Sequence, residues 1–584
     1  MQSDSPTGAQ HSARWVLDGP DESIVDSISE AIGVDRLIAR LIARRGVVTP
    51  DEARKYYRSE LADLSSPDLM KDMPAAVDRI VHALKNGEKI CIYGDYDVDG
   101  VTSVAIMLTF LKRVSSSVTY YIPARAKEGY GLNIDAVTAI AEGGSSLITA
   151  VDCGISSVEE VAHAKRLGVD MIVVDHHQVS GELPEAVAVL NPHRPDCQFP
   201  FKDLAAVGVA FFLLLGLRKR LRETGVFTTM TQPNLRECLD LVVLGTVADV
   251  VPLLGDNRIL VKHGLKELSK TKRPGLIALK EVAGATSGVI TARTVGFGLA
   301  PRLNAAGRLE DAKFAVELVS TGDMDYARNL AEELNWQNAR RQKIEEEIYN
   351  DVDAALARDP AIASRSTIVM ASESWHPGVI GIVASRIARR FYRPTILICV
   401  SGDRGRGSGR SIDGFHMFKG IEQCGTLVAE FGGHRAAAGL TIEKKNIPGF
   451  IERFEEIARA SMTTESYVPR LELDAEIDPG TVNEDLLYCL EKLEPHGTCN
   501  PAPMFLGSRV KVLRTKLVGQ GHHLKLLLQS GGRSFDAICF GLEPKIHLAQ
   551  NMIDIAFSPE FNDWMGQRSI QFRVQDLRQS ENQV

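Results

Sequence analysis

Short apolar runs alternate with helix-like stretches from about residue 85 to residue 191. The runs KICIY, VTYYI, SLITAVD, DMIVVD and AVAVLN have the length of buried strands, and helical spacing covers residues 101–111 and begins again at Ile134 and Val158. This alternation predicts βαβ units and therefore a parallel sheet.

The remaining sequence predicts four further segments. A charged helical pattern precedes the βαβ region, few helix breakers interrupt residues 324–358, a second α/β pattern follows, and five short strands end the chain. The strands fit an OB-like β-barrel, and a sandwich fits nearly as well. We therefore predict an α/β protein with two α/β domains joined by a long helix and followed by an OB-like barrel. The predicted segments are 1–84, 85–322, 323–358, 359–465 and 466–584.

Composition places the chain among globular proteins of the reducing cytoplasm. Its 584 residues carry nine cysteines, all placed singly, and no CxxC pair. The N-terminus lacks the apolar core of a signal peptide, and the longest apolar run, residues 205–217, is shorter than the roughly 20 residues of a membrane span. We expect a soluble cytoplasmic protein that does not contact a membrane.

The net charge of −8 weighs mildly against a nucleic-acid partner. However, residues 385–410 contain seven arginines and a single acid, Asp403. A basic groove and an ordinary solvated arginine face both fit this segment.

The stretch DYDVDG places Asp95, Asp97 and Asp99 at alternate positions directly before Gly100. A calcium-binding EF-hand loop would need a glutamate at its twelfth position and a helix before it. The twelfth residue is Ile106, and a predicted strand precedes the loop. We therefore expect a carboxylate-rich turn at Gly100, with a helix that begins near Thr102.

Further acidic and histidine residues follow the other predicted strands. Asp152 ends SLITAVD, and Asp175, His176 and His177 follow MIVV, while Asp249 lies in LGTVADVVPL. Ligands of open α/β sheets bind beyond the carboxyl ends of the strands, so these residues are candidates for one site. Carboxylates with imidazole favour Mn²⁺ or Mg²⁺, and four acids at one site would need about two divalent cations to offset their repulsion.

These motifs, in this order, resemble a known family. DYDVDG, VDCG, VDHH and Asp249 match the four motifs of the DHH phosphoesterase superfamily, and SGRSIDGF with FGGHRAAAGL resembles its DHHA1 domain. With the helical N-terminus and β-rich C-terminus, the chain resembles the RecJ family of single-strand-specific exonucleases from about residue 20 onward.

The resemblance implies a division of roles at the metal site. Asp97 and Asp99 would each face a different cation, Asp152 would bridge the two, and His176 and Asp249 would complete the set. Asp95 and Asp175 would support the catalytic site, and His177 would face the scissile phosphate, although either histidine could be the direct metal ligand. The implied reaction is the release of 5′-mononucleotides from a 5′ end of single-stranded DNA.

Recognition of a strand end requires donors for a terminal phosphate. Candidates by resemblance are Arg125, Ser408 and Arg410, the last two in a predicted glycine-rich loop whose backbone N–H groups could approach an anion. Arg302, Asn304 and Arg308 would form a DNA-contacting loop, and Gly433 and His434 would contact the backbone near the cleaved bond. In the barrel, the candidate contacts are Lys511, Arg514, Lys516, Lys525, Arg533 and Phe535.

Two other functions fit the motifs. The chain could be a DHH phosphodiesterase that acts on short oligonucleotides or cyclic dinucleotides, or a DNA-binding scaffold without catalytic activity. Its length and filled ligand positions favour the exonuclease. The resemblance further implies a monomer, a single-strand-binding protein and a helicase as partners, and a role in DNA repair and recombination, including mismatch repair.

Overall fold

A computed structural model describes residues 13–580 apart from residues 116, 125–127, 130, 180, 229, 287, 310, 520 and 565–566. The chain divides into two compact units. The first unit comprises Leu17–Asn335 and Glu472–Val584, and the second comprises Trp336–Leu471 with the N-terminal residues up to Val16.

The predicted parallel sheet lies in the first unit and has five strands. All its neighbouring strands pair in parallel, and the apolar runs of the sequence supply nearly continuous buried positions, as a sheet covered on both faces requires. The first strand in the sequence lies between the second and the third, so the strand order reverses beside it. In spatial order the strands are Val118–Tyr121, Ile90–Gly94, Leu147–Val151, Asp170–Val174 and Ala188–Leu190.

Helices cover this sheet and connect its strands. The helix Val98–Leu111 is buried along almost its whole length, and it packs against the helices Ala206–Glu223 and Leu239–Ala248. No helix within the described residues is both long and apolar enough to cross a membrane. The remaining α-helices of four or more residues that the structure describes wholly within this unit are Glu22–Ile32, Arg36–Ala43, Pro50–Arg58, Met73–Asn86, Ile134–Glu142, Val158–Arg166, Gly255–Ser269, Pro274–Val282, Ala300–Leu309, Lys313–Ser320 and Glu484–Glu491.

The C-terminal strands form a closed barrel, which decides between the two predicted β architectures. The strand Phe505–Val518 pairs with His523–Ser530 on one side and with Met552–Trp564 on the other. The strand Gln567–Gln579 closes the ring, because it pairs with Met552–Trp564 and in parallel with Arg533–Phe540. The predicted OB-like barrel is confirmed.

The N-terminal helices belong to two different cores. Val25, Ile28 and Leu41 from the first helices pack in one core with Phe505 and Phe557 of the barrel. The helix Pro50–Arg58 adds Ala53 and Tyr56 to the same core, whereas the helix Met73–Asn86 packs in the core of the parallel-sheet region.

Buried Arg258 forms hydrogen bonds with the N-terminal helical segment and with the segment that precedes the barrel. Its guanidinium donates to the backbone carbonyls of Tyr56, Leu493 and Lys492 and to the Ser59 hydroxyl.

The predicted long helix is present as Met324–Arg358, and the boundary between the units lies within it. In the second unit, Tyr349 of this helix lies under the Arg386 guanidinium at 3.7 Å from the ring centre. The second unit contains a five-stranded sheet in which only the last pair of strands is parallel. Its strands, in spatial order, are Val428–Gly433, Ala437–Glu443, Arg404–Arg410, Thr395–Ser401 and Ile368–Ser372, and its other helices are Pro360–Ala363, Ile380–Phe391, Met417–Glu422 and Ile447–Ser461.

Candidate metal centre and active site

The DYDVDG motif forms the N-terminus of a helix and differs in detail from the sequence prediction. The helix begins at Val98 and not near Thr102, because the Asp97 carboxylate caps it by accepting hydrogen bonds from the N–H groups of Asp99 and Gly100 at 2.9 and 3.1 Å. Gly100 is therefore a helical residue and not a turn. A Cβ at Gly100 would lie 2.5 Å from the Asp95 carbonyl oxygen, so glycine permits close packing of the helix on this backbone.

Asp99 is held by two other helices. Its carboxylate accepts the N–H groups of Ala206 and Val207 at 2.7 and 2.9 Å, at the N-terminus of the helix Ala206–Glu223, where the helix dipole favours negative charge. A Cβ at Gly245 would lie 2.8 Å from Asp99 Oδ1, so that glycine makes room for the carboxylate. Neither support was predicted, since no sequence pattern links Asp99 to residues more than a hundred positions away.

Three carboxylates from separate elements surround the His176 imidazole. His176 Nε2 lies 3.4 Å from Asp152 Oδ1, 3.6 Å from Asp249 Oδ2 and 4.0 Å from Asp99 Oδ2. This nitrogen is buried, and it has no hydrogen-bond partner among the described residues. A buried polar atom without a partner is costly, and a cation held by nitrogen and carboxylate ligands would satisfy it.

Asp95 and Asp97 extend the cluster. Together with Asp152 they place one carboxylate oxygen each within 4.8 Å of one another, a spacing that could hold a second ion. The geometry therefore allows Asp95 to be a ligand as well as the predicted support. We call Asp95, Asp97, Asp99, Asp152, His176 and Asp249 the metal centre.

The electrostatics of the metal centre also fit bound cations. Burial and the neighbouring Asp97 raise the pKa of Asp99 to about 7 and that of Asp152 well above its ordinary value. Burial and the charge of Asp99 raise the pKa of Asp249 to about 9. Burial lowers the pKa of His176 to about 4, which keeps its imidazole neutral and able to bind a metal. Divalent cations would remove the repulsion among these carboxylates.

Asp175 orients the second histidine. Its Oδ1 accepts the N–H groups of His176 and His177 and lies 2.7 Å from His177 Nδ1, while its Oδ2 accepts the N–H of Ile155. Burial lowers the pKa of His177, but the hydrogen bond and charge of Asp175 outweigh it and raise the pKa to about 9. The His177 side chain is 38% exposed, against 12% for His176. The geometry favours His176 as the ligand and His177 as the residue that faces solvent.

The predicted DNA-contacting loop is the helix Ala300–Leu309, which packs against the DYDVDG segment: a Cβ at Gly307 would lie 2.5 Å from the Tyr96 carbonyl oxygen. Asn304 Oδ1 accepts the N–H of Val98 at 3.2 Å. Arg302 donates within the protein, to Asn335 Oδ1 and to the carbonyls of Gly298 and Val282. Arg308 is half-buried on the same helix. Asn304 therefore supports the DYDVDG helix, and the described Arg302 bonds are structural.

The predicted glycine-rich loop of the second unit is the strand Arg404–Arg410, which we call the arginine strand. It pairs along its length with the strands on both sides, so the N–H groups of its glycines lie within the sheet and do not form the predicted anion-binding loop. A Cβ at Gly405, Gly407 or Gly409 would lie within 2.9 Å of side chains packed on one face of the sheet. Ser408 and Arg410 alternate with them, and Arg410 donates to Ser408 Oγ at 3.2 Å.

The helix Ile380–Phe391 begins beside the Ser408–Arg410 pair. A Cβ at Gly381 would lie 2.8 Å from Ser408 Oγ and 3.1 Å from an Arg410 nitrogen. A hydroxyl, a guanidinium and a helix N-terminus therefore lie together, which suits a phosphate. The predicted partner of this pair, Arg125, lies outside the described residues.

Gly433 and His434 lie at an exposed hairpin on the edge of the same sheet. Gly433 has φ of +139°, and a Cβ there would lie 2.5 Å from the Ala437 carbonyl oxygen, which accepts the His434 N–H at 2.7 Å. The hairpin therefore needs glycine at position 433.

The barrel corrects one predicted DNA contact. Phe535 is buried and stacks on Phe572 at 4.6 Å between ring centres, so it belongs to the barrel core. Phe540, on the same strand, is 53% exposed and is the better candidate for stacking on a base.

Three models of known protein families match this chain. The model described as "DHH family, N-terminal domain" matches residues 89–246, the DHHA1 domain matches residues 364–460, and the RecJ OB domain matches residues 473–576. The first match contains every residue of the metal centre except Asp249, the last covers nearly all of the closed barrel, and the second contains the arginine strand.

Close relatives span nearly the whole chain. The single-stranded-DNA-specific exonuclease RecJ of Bacillus subtilis is 37% identical over 98% of this chain and 71% of its own length, and that of Escherichia coli K12 is 38% identical over 93% and 95%. The crystal structure of Thermus thermophilus RecJ with Mn²⁺ has a TM-score of 0.82 and 31% identity, and covers 97% of this chain and 80% of that one. The Mg²⁺ complex of the same protein has a TM-score of 0.77 and 30% identity, with 97% and 79% coverage. This chain belongs to the RecJ family.

Proposed function

We propose that this protein is a metal-dependent exonuclease that hydrolyses single-stranded DNA from its 5′ end to 5′-mononucleotides. The observation that carries the proposal is the buried His176 Nε2, which lies among the carboxylates of Asp99, Asp152 and Asp249 without a hydrogen-bond partner in the described part of the chain. Membership of the RecJ family supplies the substrate class.

The metal centre would hold two divalent cations, Mn²⁺ or Mg²⁺. Asp97, Asp99, Asp152, His176 and Asp249 are the proposed ligands, with Asp95 close enough to contribute. When bound, two such cations activate a water molecule for attack on phosphorus and neutralise the phosphate oxygens.

The chain itself contributes orientation and a proton donor. Asp175 fixes the His177 ring through Nδ1, which leaves Nε2 to face the scissile phosphate. There His177 would stabilise the developing charge or protonate the leaving oxygen. Asp97 and Asn304 keep the first turn of the helix Val98–Leu111 in place, so that the aspartate carboxylates keep their positions.

We infer that the 5′ polarity comes from the phosphate-binding group on the second unit. Ser408, Arg410 and the N-terminus of the helix Ile380–Phe391 would bind the terminal phosphate. Arg125 stays a separate proposed phosphate contact. Gly433 and His434 are proposed contacts to the DNA backbone. Arg302 and Arg308 remain proposed contacts, with Arg302 the weaker candidate because protein acceptors already occupy it.

The test is digestion of long single strands and matching duplexes labelled at either end, with Mn²⁺ or Mg²⁺. We expect mononucleotides from the 5′ end of single strands and no release from blunt duplex. Hydrolysis of only very short oligonucleotides or cyclic dinucleotides would instead identify the phosphodiesterase, and binding without hydrolysis would identify a scaffold.

The domain boundaries, the oligomeric state, the partners and the cellular role are further parts of the proposal. We propose the functional domains 85–322 and 359–465, the helical segments 1–84 and 323–358, and a nucleic-acid-binding domain 466–584. The protein would act as a cytoplasmic monomer with a single-strand-binding protein and a helicase in repair and recombination. Participation in mismatch repair stays a prediction.

A further inference from the structure

The helix that carries Asp249 ends in an unusual way. The helix Leu239–Ala248 is followed by Asp249 in helical conformation and then by Val250 at φ of +62°. This position after a helix usually holds glycine, because a Cβ is unfavourable in the left-handed region. Among the residues that the structure describes, Val250 is the only β-branched residue with positive φ. A valine is strained there.

Packing within the protein does not offset this strain. The Val250 side chain is 66% exposed, so its apolar surface gains little from the fold. By contrast, Asp152 also has φ of +62°, but aspartate tolerates this conformation and its carboxylate is used in the metal centre. An exposed and strained valine indicates a contact with something outside the chain.

A second exposed apolar side chain lies on the neighbouring element. Phe297 is 80% exposed on the π-helical turn Val295–Leu299, a type of helix found often at functional sites. Gly296 of this turn lies against Val247, in the last turn of the helix before Val250, with 3.7 Å between a Cβ at Gly296 and Val247 Cγ1. The turn that carries the exposed Phe297 therefore packs beside the last turn of the helix that leads to Asp249 and Val250.

We propose that Val250 is a substrate-contacting residue that packs, with Phe297, against a base of the nucleotides held at the metal centre. A strand whose phosphate reaches Asp249 brings the adjoining base close to residue 250. The inference rests on the proposed function, since it takes single-stranded DNA as the ligand. It adds a contact with the base to a site that otherwise recognises phosphate.

The test measures binding without hydrolysis. Wild-type protein and the variants Val250→Gly, Phe297→Ala and Val187→Gly are titrated with Mn²⁺ present and with a short 5′-phosphorylated oligothymidine whose linkages are chemically blocked against hydrolysis, by fluorescence anisotropy. A second probe is the same strand with abasic residues at its first two nucleotides. Val187 is also an exposed valine, is 40% exposed, and does not have positive φ, so it serves as the matched control.

We expect Val250→Gly to weaken binding of the intact strand by about threefold to tenfold and to leave binding of the abasic strand unchanged. Phe297→Ala should show the same selectivity, since base stacking on an aromatic ring is lost. Relief of strain should raise the Tm of Val250→Gly by about 1–3 °C. Val187→Gly should change neither affinity.

Three results would overturn the proposal: equal loss of affinity for both probes, wild-type affinity of Val250→Gly for the intact strand, or a lower Tm for this variant. The outcome is separate from that of the proposed function. If the wild-type protein fails to hydrolyse ordinary DNA with Mn²⁺, the exonuclease proposal fails, and the binding comparison on the blocked strand still supports or overturns the contact.

Discussion

The metal centre and the arginine strand, both of which we propose to bind phosphate, are built very differently. Asp99 and Asp152 are buried, and Asp99 is fixed by two backbone N–H groups and a close glycine. Ser408 and Arg410 lie on one face of a strand and are half-buried, and Arg410 donates to Ser408 Oγ and to the Gly409 carbonyl. The first arrangement suits metal ligands that must keep their positions, and the second suits donors that must stay accessible to the end of a strand. Substitutions should therefore affect turnover in the first region and substrate preference in the second.

The sharpest test of the metal centre is Asp152→Asn. Loss of a charged ligand should reduce hydrolysis of single-stranded DNA by about 10³-fold or more, since several kcal/mol of charge stabilisation disappear. The fold raises the pKa of Asp152, so the folded protein favours the protonated carboxyl group. In the metal-free protein, ionisation of Asp152 therefore lowers the free energy of unfolding as the pH rises. The variant should therefore have an equal or higher Tm in EDTA at pH 8.

The matched control is Asp135→Asn, which changes an exposed acid in the first turn of the helix Ile134–Glu142. It should keep full activity. A large fall in the Tm of metal-free Asp152→Asn would mean that the lost activity reflects unfolding and would remove the argument for a ligand.

His176→Ala tests whether the metal centre binds cations as a unit. At a Mn²⁺ concentration of about 100 Kd, the ion should stabilise the wild-type protein by about 2.7 kcal/mol, which calorimetry detects as a higher Tm. The variant should lose most of this increase, and its turnover should fall by about 10²-fold or more. Exposed His522→Ala is the control. A full Mn²⁺ effect in His176→Ala would assign the direct ligand to His177.

Arg410→Ala tests whether the arginine strand selects substrates that carry a 5′-phosphate. Loss of a charged hydrogen bond to a terminal phosphate should lower kcat/KM on 5′-phosphorylated strands by about 10–100-fold and change 5′-hydroxyl strands little. Arg404→Ala, on the same face of the arginine strand but exposed at its other end, should leave this preference unchanged. Equal losses on both substrates would make Arg410 a general DNA contact.

The sequence predicted the metal centre more completely than the arginine strand. Strand patterns ending in Asp95, Asp152 and Asp175 were sufficient to bring these residues to one edge, because parallel strands align their carboxyl ends. The arginine strand was predicted as a loop, because alternating glycines are typical of flexible segments. In the structure these glycines instead give room for the side chains of neighbouring elements. Contacts between distant residues, such as Asp99 with Val207, leave no local pattern.

Asn304 shares features of both regions. Its motif predicted a contact with DNA, but its side chain accepts a hydrogen bond from the first turn of the helix beside the metal centre. Asn304→Ala removes the acceptor for the Val98 N–H, so the first turn of the helix loses a restraint and kcat should fall by about tenfold. KM should stay within about twofold of its wild-type value, since an interaction that positions ligands acts on turnover. Asn304→Asp keeps an acceptor oxygen and should recover most of the rate. A rise in KM without loss of kcat in Asn304→Ala would restore the predicted DNA contact and place this residue with the substrate-binding groups.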